Sequence, residues 1–186
     1  MMKKGAGIGL MAFWACAAMG TDVASTTLRV AFDDARRGEV AQVVAGGRDY
    51  ASPVARFPLF EIACCPAGQF TNRVVASFAA EATPDGVRLV YRDVAGALDD
   101  VVCTVAAKGP DLVWRIAATP KPGWALFETR YPLFALNECL GSTPVDDCVV
   151  MGNSKGGVLR YPMRPGRAYW KERRLGHYPG NLVAQF

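Results

Sequence analysis

Residues 73–91 read RVVASFAAEATPDGVRLVY, two alternating segments on either side of a turn. In the first segment, 73–82, every second residue shares one face, and that face carries Val74, Ala76, Phe78 and Ala80. The second segment, 87–91, places Val87, Leu89 and Tyr91 on one face in the same way. Pro84-Asp85-Gly86, between them, is a strong turn signal. The stretch therefore predicts an antiparallel β-hairpin.

The same period of two residues continues on both sides of this hairpin. Leu28, Val30 and Phe32 alternate in the first predicted strand, and Leu112, Trp114 and Ile116 alternate in a later one. Further predicted strands cover residues 40–44, 57–62, 100–107, 124–131, 149–151 and 158–161. Phe127, Thr129 and Tyr131 are in phase in the fourth of these. Because Gly, Pro and Asp turns separate the segments, the pattern predicts an all-β fold, an antiparallel β-sandwich.

Length and composition indicate which classes of protein the chain can belong to. The 186 residues suit one domain of ordinary size. With 51% hydrophobic and 20% charged residues, the chain is too apolar to be disordered. A formal charge of +4 is no footprint for nucleic acid, and the single histidine, His177, excludes a polyhistidine metal site. We expect no metal, no cofactor and no nucleic-acid partner.

The amino terminus has the order of a secretory signal peptide. Residues 1–4 form a short basic start, and residues 5–19 are uncharged and largely apolar. This apolar run is too short to span a bilayer comfortably. Ala18 and Gly20 are small residues just before Thr21. We therefore expect residues 1–20 to be removed and residues 21–186 to be exported to the periplasm or the medium, with no membrane attachment after cleavage.

Two alternatives to simple cleavage stay open. Cys16 is a candidate for lipidation, but Phe13 and Trp14 are bulky where such a site favours small or aliphatic residues. An uncleaved segment would instead act as a plain membrane anchor. Cleavage would remove Lys3 and Lys4, so the charge would fall to +2, from 19 basic and 17 acidic residues.

The cysteines allow two interpretations. Five remain after residue 20, at Cys64, Cys65, Cys103, Cys139 and Cys148. Neighbouring cysteines rarely bond to each other because the bridge is strained, whereas Cys139 and Cys148 flank a loop and a bridge there is feasible. The favoured alternative is that all five are small buried apolar residues. Without any Cys-x-x-Cys pair, zinc and thioredoxin-type chemistry have no support.

Several short motifs resemble a known family. The opening 28–34 (LRVAFDD), followed by Gly38 and Val43, resembles the first hairpin of a galactose-mutarotase-like β-sandwich. Later segments resemble the amino-terminal region of secreted bacterial glycoside-hydrolase-like proteins. These segments are 130–134 (RYPLF), Asp146-Asp147, 156–159 (GGVL), 178–180 (YPG) and Gln185-Phe186. The resemblance covers roughly residues 26–186.

The resemblance implies a supersandwich that precedes a (β/α)8 barrel holding the catalytic carboxylates. No barrel follows in this sequence, so no catalytic residue of the family is carried over. Residues 182–186 (LVAQF) look like the start of another strand. We therefore expect the sandwich domain at 21–186 to be incomplete at its carboxyl end, and the chain to be a fragment or a truncation.

Candidate catalytic groups are present but unpaired in sequence. Glycoside hydrolysis usually needs two carboxyl groups on either side of one bond, and no pattern places any two of the acids across a cleft. These acids are Glu61, Glu81, Glu128, Glu138, Asp146, Asp147 and Glu172. Ser154 lacks the Gly-x-Ser-x-Gly elbow, and His177 is the only histidine that a catalytic triad could use. We expect this chain alone not to be an enzyme.

Aromatic side chains are the more credible signal for function. Sugar rings present apolar faces that stack on Trp and Tyr, while arginines and acids take the hydroxyls. The candidates for carbohydrate binding are Trp124, Tyr169, Trp170 and Tyr178. The leading hypothesis is a non-catalytic module of an exported carbohydrate-active protein, which binds carbohydrate or docks on the missing barrel. The alternative is a stand-alone secreted binding or structural domain unrelated to sugars.

Overall fold

Strands make up most of the described chain. This computed structural model describes residues 20–66 and 68–137 and the backbone of two later strands. Every strand pairing in that part of the chain is antiparallel. The one helical element there is a short 3-10 turn at Asp34–Arg36. The prediction of an all-β, sandwich-like fold is therefore confirmed.

In chain order the strands are β1 (Asp22–Ala24), β2 (Leu28–Asp33), β3 (Glu39–Ala45), β4 (Arg48–Asp49), β5 (Glu61–Cys65), β6 (Gly68–Thr71), β7 (Val75–Thr83), β8 (Gly86–Val94), β9 (Leu98–Lys108), β10 (Asp111–Pro120), β11 (Ala125–Arg130), β12 (Cys148–Met151) and β13 (Gly157–Arg160). They form sheets with the strand orders β1-β2-β3-β4, β10-β9-β8-β7, β11-β5-β6 and β12-β13. Most neighbouring strands within a sheet are consecutive in the chain, because short turns join them.

The predicted central hairpin is β7–β8. Val87, Leu89 and Tyr91 all face inward and are buried, as the alternation predicts. On β7 only part of the predicted face is right, because Phe78 and Ala80 pack on the core while Val74 and Ala76 are exposed. Val74 lies in the turn before β7, and its N–H donates to Thr71 O at 3.2 Å. The direction of the Val74 side chain is therefore set by the turn and not by the alternation of a strand.

Two other strand predictions differ from the structure. Residues 57–60 are not a strand, since β5 begins only at Glu61. Leu59 is nevertheless buried, and its N–H donates to the side chain of Asn72. In β11 the pairing shifts between Leu126 and Glu128, so Phe127 is the extra residue of a bulge and is 77% exposed. The in-phase face predicted for that strand is therefore absent.

One apolar core joins the three larger sheets. Phe32 comes from the first sheet, Tyr91 from the second and Ile62 from the third, and all three are fully buried. Phe60 lies edge-on to Tyr91 with ring centroids 5.0 Å apart, a favourable aromatic geometry. Full burial of each such side chain stabilises the fold by about 1.5–3 kcal/mol. The sheets therefore pack face to face around a shared interior.

Candidate functional site

Among the predicted sugar-binding residues, Trp124 lies in the described part of the chain. Tyr169, Trp170 and Tyr178 lie outside it, as do residues 1–19. Trp124 follows a turn in which its N–H donates to Lys121 O at 3.0 Å. Its ring is partly buried and meets Phe70 edge-on at 5.6 Å. Trp124 thus contributes to packing, and sugar contact by it stays a prediction.

The structure brings two of the candidate acids together. Arg130 Nη1 donates to Glu61 Oε1 at 3.0 Å, and Arg130 Nε donates to Glu128 Oε1 at 2.8 Å. Arg130 and Glu61 are directly opposite each other on β11 and β5. The hydrogen bond and charge of Glu128, followed by the charge of Glu61, raise the pKa of the Arg130 guanidinium. The arrangement is a cross-strand ion network, in which the two carboxylates share one cation.

The described cysteines are all free. Cys64 and Cys65 are not bonded to each other, as predicted, but Cys65 is exposed, so the expectation that all five are buried is wrong there. Burial raises the pKa of the Cys103 thiol to about 12. The side chains of Cys139 and Cys148 lie outside the described residues. Within the described residues, no group of three His, Cys, Asp or Glu side chains has a metal-binding arrangement.

A strongly basic cleft lies where the first sheet meets the loops of the third. It has a volume of about 490 Å³. We call it the arginine cleft, because its lining residues are Ala35, Arg36, Arg37, Glu39, Arg56 and Arg73. They come from the 3-10 turn, the start of β3, the segment after β4 and the turn after β6. Its volume lies within the range of small-molecule sites.

A buried carboxylate lies among these arginines. Glu39 is only 3% exposed, and its Oε1 accepts a hydrogen bond from Arg73 Nε at 2.7 Å. Its second oxygen, Oε2, is buried and has no hydrogen-bond partner within the described residues. Buried oxygens are rarely left unpaired, and an unpaired charged one is costly. Glu39 therefore retains one acceptor oxygen that no described residue uses.

The turn that carries two of the arginines is fastened to the core. Asp33 Oδ1 accepts from Arg36 N at 3.1 Å and begins the 3-10 turn. Arg37 then adopts a left-handed conformation, with φ at 57°. Its carbonyl accepts from the Asn72 side chain at 3.0 Å and from the Tyr91 hydroxyl at 3.1 Å. Core residues thus hold Arg37 in a rarely populated backbone conformation, and such conformations are common at binding sites.

Gly38 completes the turn, and both its backbone conformation and its close contact with the core favour glycine there. Its φ is +76°, a conformation that side chains rarely adopt. A Cβ at this position would lie 2.7 Å from the Tyr91 hydroxyl. The glycine thus lets the turn approach the core closely enough for Tyr91 to bond Arg37.

The remaining arginines are held by backbone carbonyls. Arg56 Nη1 donates to Val40 O at 3.0 Å and to Ala41 O at 3.1 Å, while Arg73 Nη2 donates to Arg56 O at 3.1 Å. Arg37 Nη1 donates to Arg73 O. A guanidinium has five N–H donors, so each retains donors for a ligand.

The charges of the arginine cleft do not balance. Arg36 pairs with Asp33 and Arg73 pairs with Glu39. In the part of the chain that the structure describes, Arg37 and Arg56 have no carboxylate within ion-pair distance. The cleft therefore carries two uncompensated positive charges.

Sequence reasoning missed this cleft. The tandem Arg36-Arg37 before a glycine is a weak signal of a basic turn, but Arg56 and Arg73 are far from it along the chain. Only the packing of the third sheet against the first brings them together.

A second surface feature lies beside β11. Phe127 and Cys65 line an open cleft of about 500 Å³ together with Ala63, Cys64, Gly68 and Gln69. Its lining has few hydrogen-bonding side chains, so the arginine cleft is the better candidate for recognising a polar ligand.

Among residues 20–66 and 68–137, no helix has the length and apolar character needed to cross a membrane. Comparison of the chain with protein-family models, curated proteins and solved structures finds no match.

Proposed function

We propose that this chain is a non-catalytic β-sandwich module of an exported carbohydrate-active protein, and that it binds carbohydrate or docks against another domain of that protein. The observation that carries the proposal is the arginine cleft with its buried, half-satisfied Glu39. Sugar hydroxyls both donate and accept hydrogen bonds. The arginine cleft places guanidinium donors and a carboxylate acceptor side by side on one open surface, which suits such a ligand.

Export is part of the same proposal. Residues 1–20 have the composition of a signal peptide, and we expect the mature chain to begin near Thr21. Intact mass and N-terminal sequencing of the expressed protein decide this. A diacylglycerol on Cys16, or a chain that retains Met1, would contradict it.

The proposal is tested by direct binding. The purified protein is applied to an array of neutral and acidic glycans and to affinity gels that contain polysaccharide. Retention on at least one glycan, competed by the same glycan in solution, supports a carbohydrate-binding module. Failure to bind any glycan, with the protein folded by circular dichroism, would reject it.

A second candidate function is a secreted protein-binding or structural domain unrelated to sugars. The observation in its favour is the exposed apolar pair Leu126 and Phe127 on β11, a strand at the edge of its sheet. Exposed apolar edges favour pairing with another chain. Co-purification of a protein partner that is lost in Phe127→Asp, together with no glycan binding, would favour this candidate.

A further inference from the structure

We propose that the arginine cleft recognises an acidic sugar, that is, a sugar unit carrying a carboxylate or a sulfate beside free hydroxyls. This inference rests on the proposed carbohydrate binding and names the class of sugar. It follows from two features of the cleft that one ligand has to satisfy together.

The first feature is the uncompensated positive charge. Arg37 and Arg56 line the cleft without a carboxylate partner among the described residues. Arginine binds carboxylate and sulfate groups well because its planar fork can form two parallel hydrogen bonds to them. A neutral sugar would use these donors less fully than an anionic one.

The second feature is the unpaired oxygen of Glu39. Oε2 needs a hydrogen-bond donor, which a free inorganic sulfate does not have, and the negative charge of Glu39 opposes a bare anion. A sugar hydroxyl supplies that donor. The acidic group and the hydroxyl of one sugar unit therefore match the arginines and Glu39 respectively.

The geometry also predicts how the ligand enters. Glu39 Oε2 is covered, so a hydroxyl reaches it only after a side chain at the rim of the cleft moves. Arg73, whose side chain is 50% exposed, is the rim residue that contacts Glu39. The Arg37 turn stays in place because Asn72 and Tyr91 hold its carbonyl. Such a partly preformed, open site binds with modest affinity.

The experiment compares four ligands by calorimetry. They are a uronate oligosaccharide, a sulfated oligosaccharide, a neutral oligosaccharide of the same length, and inorganic sulfate. We expect one or both acidic sugars to bind at least about tenfold more tightly than the neutral sugar and the inorganic ion. The two acidic arms show whether the anion is a carboxylate or a sulfate.

A matched pair of variants locates the site. Arg56→Gln removes one guanidinium from the cleft, and Arg115→Gln removes one from the exposed face of β10, outside the cleft. The first should weaken binding of the acidic sugar about tenfold, because a hydrogen bond to a charged group is lost. The second should change it less than twofold, although the net charge changes equally.

A measurement on the unmodified protein keeps the test independent of variant folding. The affinity for the acidic sugar should fall as NaCl rises from 20 to 300 mM, because the ions screen this attraction (roughly a 10 Å screening length at 0.1 M). The neutral sugar should show no such trend.

Three results would overturn the inference. They are equal affinity for neutral and acidic sugars, equal effects of Arg56→Gln and Arg115→Gln, and inorganic sulfate binding as tightly as the acidic sugars. In the first two cases sugar binding itself survives. If no glycan binds at all, the proposed carbohydrate binding fails with it.

Discussion

Replacing Gly38 by alanine should loosen the turn that carries Arg37. The glycine has φ at +76°, and the added Cβ would lie 2.7 Å from the Tyr91 hydroxyl and 3.1 Å from Leu89 Cδ1. Tyr91 is fully buried in a closely packed interior, so its ring has little room to yield. Its hydroxyl therefore has to move away from the carbonyl of Arg37, which it bonds at 3.1 Å.

The cost has two parts. An alanine in the left-handed region costs about 1–2 kcal/mol relative to glycine. Breaking the bond between Tyr91 and Arg37 costs about 1 kcal/mol more. The Gly38→Ala variant should thus lower the free energy of unfolding by about 2–3 kcal/mol, a large part of the stability of an ordinary domain.

Two further variants separate the cost of the backbone conformation from the cost of the lost hydrogen bond. Gly47 has φ at +79°, but a Cβ there would meet nothing within 4 Å. Gly47→Ala should therefore lower the free energy of unfolding by the backbone cost alone, about 1–2 kcal/mol. In a Tyr91→Phe background the closest obstructing atom is gone while the contact with Leu89 remains, so Gly38→Ala should cost less there than in the unmodified protein. The coupling between Gly38 and Tyr91 should be about 1 kcal/mol.

Urea unfolding of the unmodified protein and of the four variants, followed by tryptophan fluorescence under reducing conditions, supplies the five free energies of unfolding. Equal losses for Gly38→Ala and Gly47→Ala would refute the close contact with Tyr91. Additive effects of Gly38→Ala and Tyr91→Phe would refute it independently, because the cycle would then show no coupling.

Four other predictions can be checked on the same purified protein. In the folded protein at pH 8, iodoacetamide should alkylate exposed Cys65 and not buried Cys103, and a mass label on Cys103 would contradict its burial. The folded Cys103 thiol has a pKa of about 12, against 9.0 for an ordinary thiol. Between these two pH values the unfolded state binds fewer protons than the folded state, so the free energy of unfolding should fall as the pH rises, by at most about 1.4 kcal/mol per pH unit from this group. A urea midpoint that is equal or higher at pH 10.5 than at pH 8 would oppose this. Phe127→Asp should leave the urea midpoint unchanged, because the side chain is 77% exposed; a lower midpoint would mean that the residue packs in the fold. The purified chain should not hydrolyse aryl glycosides, and turnover that disappears in Glu128→Gln would show a catalytic site in this domain.

Local alternation was sufficient to predict the architecture. The period of two and the turn residues predict the β7–β8 hairpin, including the buried face of Val87, Leu89 and Tyr91. These signals are local because successive side chains in a strand point to opposite faces. The all-β class and most strand positions follow from them directly.

The same reasoning failed where long-range contacts decide the backbone. Residues 57–60 have apolar character without being a strand, because Leu59 bonds Asn72 and accepts from Leu133 N at 2.8 Å, each distant in sequence. Phe127 is exposed because β11 is exposed along its whole length, and a bulge there also changes the alternation. Neither the bulge nor the partner of Leu59 has a sequence signal of its own.

The sequence by itself determined an all-β chain with an apolar face on its central strands, because the pleat makes that pattern local. The arginine cleft was decided only by the tertiary structure. Arg37, Arg56 and Arg73 come from separate turns, and Glu39 is buried among them because the first sheet packs against the third. An arginine in a loop looks the same in sequence whether it faces solvent or a cleft. Its neighbours across the fold give it a charge environment, and those neighbours exist only once the core has assembled.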